Sequence, residues 1–342
     1  MIKIKKTLKE LDRIAIDHYK ILLSKPFEID EILSNKLLSS GLTNEESQFY
    51  NILLNNIKNI IISRPDGLKK LINILDPLYS SIYVNRITGI RNRNLQKVKK
   101  KELNKEIFKI FDYNKFISHK NNYAIQLAQK LDCKVCLYCN RQFTFTVINK
   151  KNRKTRPEFD HFFDKNTNPY LALSLYNLVP ACPICNSRLK HRNRFELNSN
   201  IHPLIESAEK IIKFKIKTNS IDILDGSTSN IDIEVVKHNK TVTNKDFNRV
   251  NKNLNTFLIC DLYLKHQDYI IEIIKKGFIY NKSRILELEN ISTPGGNHLF
   301  RSRQEVIELI LGNYLSEDRF SDRILSKLTK DVAEQFDLLK YI

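Results

Sequence analysis

Apolar positions recur at helical spacing through the first 131 residues: Leu8, Leu11, Ile14 and Ala15 form one stripe, and Leu33, Leu37 and Leu38 another. Thr43-Asn44-Glu45-Glu46 reads as a helix cap before the run FYNILLNNIKNIII, because a threonine oxygen can accept from a free first-turn amide. Pro65, which has no amide hydrogen, stops that helix, and Leu68, Leu71 and Ile72 begin the next. At residue 132 the period changes. The segment QFTFTVI alternates aromatic and β-branched residues with polar ones, and turn-like polar stretches follow, so 132–206 is expected to be a compact α+β module. From 207 onward KIIKFKIKTN and IDIEVVKHN predict two strands joined by a turn at Asp225-Gly226-Ser227. Helical spacing then returns over 247–259, 269–276, 305–311 and 324–339. The expected fold class is mainly α with a small α+β insert, divided into regions 1–131, 132–206 and 207–342, without an internal repeat.

Composition narrows the class. An apolar content of 42% with 18 Phe and 14 Tyr supports a real core, and 8 Gly with 9 Pro excludes a collagen-like or low-complexity chain. No apolar run reaches the ~18 residues of a membrane span, and the N-terminal segment carries acids and lacks an apolar centre, so neither a span nor a secretory signal is expected. The expected compartment is the cytoplasm.

With 57 Lys+Arg against 38 Asp+Glu, the net charge is +19, which suits a polyanionic partner; a general richness in Lys, Asn and Ile accounts for it equally well. Eight Lys/Arg and one acid lie between residues 86 and 105, with Lys99, Lys100 and Lys101 at the centre. That run reads either as a solvated helix face or as a phosphate-facing surface. A second basic stretch, 150–156, includes Lys154 and Arg156.

Five of the six cysteines fall between Cys133 and Cys185. Cys136-Leu-Tyr-Cys139 and Cys182-Pro-Ile-Cys185 are two Cys-x-x-Cys knuckles, which together supply the four thiolates of a closed, structural zinc site. Pro183 sits where a first helical residue would, placing Cys182 at the cap and Cys185 in the first turn, where free amides and the helix dipole favour thiolates. Cys133 overlaps the first knuckle and could displace one ligand. Cys260, alone in an apolar run, reads as core.

Between the knuckles stand Asp160-His161 and Asn177, with Asn186 directly after the last cysteine. Neighbouring residues on a strand face opposite ways, so Asp160 and His161 meet at one site only if the chain bends. A strand pair followed by a helix would let Asp160 and Asn186 share one hard cation through oxygen, as Mg²⁺ prefers. His161, with an ordinary pKa near ~6.5, would then be free to act as a base on water.

Cys-x-Tyr-Cys, Asp-His, Asn-Leu-Val-Pro, Cys-x-x-Cys-Asn-x-x-x-Lys and the trailing His202-Pro203 resemble the HNH (ββα-metal) endonucleases, over residues 136–204. The resemblance implies a zinc-stabilised ββα-metal nuclease module flanked by helical regions. Asp160 and Asn186 would hold Mg²⁺ or Mn²⁺, His161 would activate water, and Asn177 would fix the loop that orients His161. Arg188, Lys190 and His191 follow Asn186 and would either approach a phosphate or form a solvated face. His202 is either an auxiliary group near the metal or a loop histidine, and Glu158 could reach the metal through water. A looser resemblance, carried by LSLYNLVPACPICN, IHPLIES, QDYIIEIIKKGFIYNKS and DRILSKLTKDVAEQFDLL, is to HNH subunits of bacterial anti-phage systems of the Septu type, some of which accompany retrons. That resemblance implies an ABC/SMC-like ATPase partner and a nucleic-acid substrate, DNA ahead of RNA. Two rivals stand beside it. A non-catalytic zinc-knuckle module binding nucleic acid or protein has no need for the Asp160, His161 and Asn186 trio. A zinc deaminase expects a His-x-Glu and a Pro before the second knuckle, where this chain has His161-Phe162-Phe163 and Ala181.

Overall fold

The computed structural model describes residues 1–118, 122–151, 153–191, 193–218 and 231–342. The first region is helical as its apolar stripes predict. Thr7 and Thr43 start α1 (Leu8–Leu23) and α3 (Asn44–Asn55), separated by α2 (Ile29–Leu38). Each threonine accepts from the amide three residues on, while the glutamate there, Glu10 or Glu46, accepts from the threonine amide. After α4 (Ile57–Ile62), Pro65 occupies the first position of α5 (Pro65–Ile87), where its missing amide costs nothing. The proline therefore opens a helix as well as following one.

Arg86 near the end of α5 is no part of a phosphate-facing surface. It is held by Glu46 of α3 at 2.6 Å and by Glu106 of α6 (Arg93–Ile110) at 2.7 Å, which ties three helices together. Two shorter helices, α7 (Tyr113–Ile117) and α8 (Tyr123–Leu131), lead into the insert.

The insert is built on two small antiparallel ladders. β1 (Val147–Ile148) pairs with β2 (Lys154–Thr155), and Phe143 forms a single antiparallel bridge with Val135, so the alternation of QFTFTVI yields only a two-residue strand and that bridge. β3 (Glu158–His161) pairs with β4 (Leu178–Ala181), with Asp160 opposite Val179. A helical stretch, Ile184–Lys190, follows β4 and is wound as a π-helix. Strand, strand and helix thus come in that order around the residues singled out in the sequence.

In the last region β5 (Ile212–Thr218) and β6 (Ile231–Lys237) pair antiparallel along their length; the expected turn at Asp225-Gly226-Ser227 lies outside the described residues. One expected helix, 247–259, is two: α9 (Asn244–Thr256) ends before Leu258, whose φ of 49° redirects the chain into α10 (Ile259–Leu264). α11 (Gln267–Ile279), α12 (Lys282–Glu289), α13 (Arg303–Leu311) and α14 (Ser326–Gln335) complete it, and α12 has no counterpart in the sequence reading. α14 covers the open edge of β5: Asp331 accepts from the Phe214 amide, and Gln335 exchanges two hydrogen bonds with the Ile216 backbone. The fold is mainly helical with short antiparallel strand pairs, as expected, and buried apolar residues from Met1 to Leu338 form one connected core across all three regions. Among the described residues no helix is long and apolar enough to cross a membrane.

Candidate metal centre and adjoining cleft

The two knuckles meet. The sulfurs of Cys136, Cys139, Cys182 and Cys185 lie within 4.8 Å of one another and all four residues are buried, with Cys139 and Cys182 4.0 Å apart. Tetrahedral ligation at ~2.3 Å places sulfurs roughly 3.8 Å apart, so the four can hold a metal ion such as zinc. Pro183 has helical dihedrals (φ −56°, ψ −34°), the Asn186 amide donates to the Cys182 carbonyl, and the Cys185 amide points to the Cys182 sulfur at 3.5 Å. Hydrogen bonding with Cys136 lowers the Cys139 and Cys182 thiols, whereas burial raises Cys136 and hydrogen bonding with Cys136 raises Cys185. Four thiols packed this closely cannot all ionise without a cation among them. Cys133 is buried outside the cluster, its sulfur near the Leu131 carbonyl, and does not join the four. Cys260 is half-buried beside the core.

The first knuckle reaches directly to the acid. Tyr138, between Cys136 and Cys139, donates from its hydroxyl to Asp160 Oδ2 at 2.6 Å. Lys190, at the end of the π-wound stretch, reaches back to the same carboxylate at 2.8 and 3.0 Å and also donates to the carbonyls of His161 and Phe162. Lys190 was expected on a surface approaching phosphate. It is instead 4% exposed, its charge matched by Asp160, because the wide winding turns it inward over the strand pair.

The chain between β3 and β4 runs through the core, and its carbonyls would be stranded there without donors. Three histidines and an asparagine supply them. His161 Nε2 donates to the Ala172 carbonyl (3.0 Å), His18 Nε2 to Leu173 (2.9 Å) and His202 Nε2 to Tyr176 (2.8 Å). Asn177 donates to the Leu171 and Phe163 carbonyls and accepts from the Phe163 amide at 2.7 Å, and so ties together the chain between β3 and β4. His202 also accepts from the Leu204 amide through Nδ1, so both its nitrogens are used and it is a loop histidine. His18, on α1, was not recognised in the sequence; its role depends on a loop some 155 residues away, which no local pattern reveals.

Since a carbonyl can only accept, His161 carries its hydrogen on Nε2, and Nδ1 is the nitrogen able to take a proton. Burial, with Lys165 and Lys190 nearby, lowers its pKa to about 3, and the Tyr113 ring stands edge-on at 4.5 Å. The imidazole is therefore neutral at ordinary pH.

His161 and Asp160 line one side of a cleft of about 340 Å³ that also takes in Glu158, Asn186, Arg156 and Lys165. The strand neighbours Asp160 and His161 thus share one site. The Asn186 amide donates to Glu158 at 2.8 Å and the Ser187 hydroxyl donates to the same oxygen at 2.9 Å, leaving Asn186 Oδ1 as the atom able to serve a cation. Arg156 donates to the Pro157 carbonyl and lies over Phe159. Lys154 donates to Asn122. Arg188 is exposed. Lys99 is paired with Glu102 at 3.0 Å and Lys100 lies over the Tyr83 ring, both apart from the cleft, while Lys101 borders a neighbouring hollow. Lys165 was missed altogether; in a polar turn one lysine carries no signal that separates it from the other solvated ones. Carboxylate and carbonyl oxygens, a fixed neutral imidazole and basic side chains are thus gathered in one recess, a set able to bind an anion and to take a proton from water. No family model, curated protein or solved structure matches this chain.

Proposed function

We propose that this chain is a metal-dependent nuclease that hydrolyses phosphodiester bonds, with DNA the first substrate to test and RNA the second. The observation that carries the reading is His161: neutral, fixed through Nε2 to a backbone carbonyl, and set in a cleft that brings Arg156 and Lys165 together with Asp160, Glu158 and Asn186. In that role Nδ1 takes the proton of the attacking water; the negative charge of a bound phosphate would raise its pKa from about 3 towards the range in which a general base contributes ~10²–10⁴-fold. Arg156 and Lys165 bind and orient the phosphate. The oxygen donors suit a hard divalent cation, and Asp160 with Asn186 would hold Mg²⁺ or Mn²⁺ once Lys190 shares or releases the carboxylate. Such an ion supplies Lewis acidity at the phosphate. The four cysteines leave no open position, so the zinc they suit is structural, holding Tyr138 and with it Asp160 in place.

One observation favours the rival of a non-catalytic zinc module: both Asp160 oxygens are already taken, by Lys190 and Tyr138. Incubating purified protein with DNA and RNA in Mg²⁺ or Mn²⁺ separates the two. The nuclease reading expects cleavage that His161→Ala abolishes while zinc content and nucleic-acid affinity stay near wild type. More than about a tenth of the wild-type rate in that variant removes His161 as the base. The wider reading, an anti-phage effector restrained by an ABC/SMC-like ATPase, is supported by the resemblance of the flanking segments, and co-expression with a neighbouring ATPase tests it through complex formation and altered cleavage.

A further inference from the structure

The cleft at Asp160 and His161 does not end at its own rim. Towards α6 it shares Tyr113, Lys165 and Asn166 with a hollow of about 300 Å³ bordered by Lys101 and Lys105. Towards β2 it shares Ile117, Arg156 and Glu158 with another of about 280 Å³ bordered by Lys154. The three adjoin through these shared residues as a groove, with the buried histidine in the middle hollow and cations bordering both outer ones.

At the centre, Lys165 stands apart from the other lysines. It is half-buried, its ammonium 4.5 Å from the Tyr113 ring centroid, and among the described residues no carboxylate comes within ion-pair distance. Burial lowers its pKa, and Asp164 and Asp160 act on it only from farther off. A partly desolvated cation without a counter-charge is a costly arrangement that a bound anion relieves. Six Lys/Arg line the groove against four acids: Asp160 is paired with Lys190, while Asp112 and Asp164 accept from backbone amides and Glu158 from Asn186 and Ser187.

Depth selects the form of the ligand. His161 and Asp160 are 7% and 5% exposed, so a phosphate must descend between the groove walls to reach them. A stiff duplex holds its phosphates on a broad surface and cannot lower one alone, whereas a single strand can, and its bases can lie against the half-buried Ile117 and Phe108. We infer that the groove holds a single-stranded polynucleotide, with Lys165 on the phosphate beside His161, Lys101 and Lys105 on one flank, and Arg156 with Lys154 on the other. The inference rests on the nuclease reading for its choice of ligand, but binding can be measured without cleavage.

The test uses the full chain carrying His161→Ala, with fluorescence anisotropy of labelled oligothymidylate, oligouridylate and a DNA duplex of equal length across a salt series. Single strands are expected to bind at least about tenfold more tightly than duplex, and Lys165→Ala to weaken single-strand binding about tenfold while reducing the salt slope by ~0.7. Lys165→Arg should restore most of the affinity, which separates charge from packing. Duplex binding as tight as single-strand binding, or a Lys165→Ala protein with unchanged affinity and salt slope, overturns the inference. Lys165-dependent binding, with no cleavage in Mg²⁺ or Mn²⁺ by the chain that retains His161, would keep the groove and remove the nuclease; cleavage by that chain indifferent to Lys165→Ala would do the reverse.

Discussion

The Tyr138 hydroxyl donates a 2.6 Å hydrogen bond to Oδ2 of Asp160. Tyr138 belongs to the first cysteine knuckle and is itself fully buried, stacked on Phe257 with ring centroids 4.3 Å apart. The carboxylate of the cleft is therefore held from one side by the first cysteine knuckle and from the other by Lys190. Tyr138→Phe keeps the stacking and removes that bond, so it is expected to cost about 1.5–3 kcal/mol, the range for a hydrogen bond to a charged group. Denaturant unfolding measures it, and an unchanged midpoint would show that the bond contributes nothing in solution.

The cysteine cluster predicts one tightly held zinc per chain, surviving dialysis and detectable by elemental analysis. Cys139→Ser or Cys185→Ser should lose the metal and unfold the insert, because structural zinc contributes directly to folding. Metal-free protein of normal thermal stability would contradict this.

Asn177 makes three hydrogen bonds inside the core, to Phe163 twice and Leu171 once. Asn177→Ala leaves those backbone groups unpaired and should cost roughly 2–4 kcal/mol, and under the proposed nuclease reading cleavage should fall alongside because His161 leans on the same loop. Stability measured at fixed zinc content separates this loss from loss of metal.

Burial lowers His18 to about 4 and His161 and His202 to about 3, from 6.5. Below pH 6.5 the unfolded chain takes up protons at these histidines and the folded chain does not, so stability falls as pH drops from 6.5 towards 4 and is flat on this account above. Each histidine adds about 1.4 kcal/mol per pH unit within that window. Unfolding free energies at a series of pH values should show the slope, and His18→Asn should reduce it by the share of one histidine, about 1.4 kcal/mol per pH unit. An unchanged slope would mean that His18 titrates normally in the folded chain.

Helices were legible in this sequence because their apolar stripes are local, and the metal centre because two Cys-x-x-Cys pairs have one economical use. The same locality explains what stayed hidden. Arg86 looks like one more cation in a basic run, yet its partners Glu46 and Glu106 lie 40 and 20 residues away and only packing unites them. Lys190 reads as helix surface at ordinary winding, and no spacing rule announces a π-helix that turns it inward. Asp160 and His161 occupy opposite sides of an ideal strand, but β3 has only four residues and the chain leaves it at once, so both reach one cleft.

Asn140, next to the first knuckle, gives its amide hydrogens to the carbonyls of Phe320 and Arg323 and accepts from the amides of Leu325 and Lys327; Tyr263 donates to the Cys139 carbonyl, and the Ile2 and Ile4 amides reach Leu137 and Pro203. The backbone around the cysteines is thus completed by segments from both ends of the described chain. Residues 132–206 are consequently no cassette that could be excised, grafted or shuffled between proteins with its chemistry intact. Released from those clasps, the segment would expose the apolar faces of its own knuckles to water.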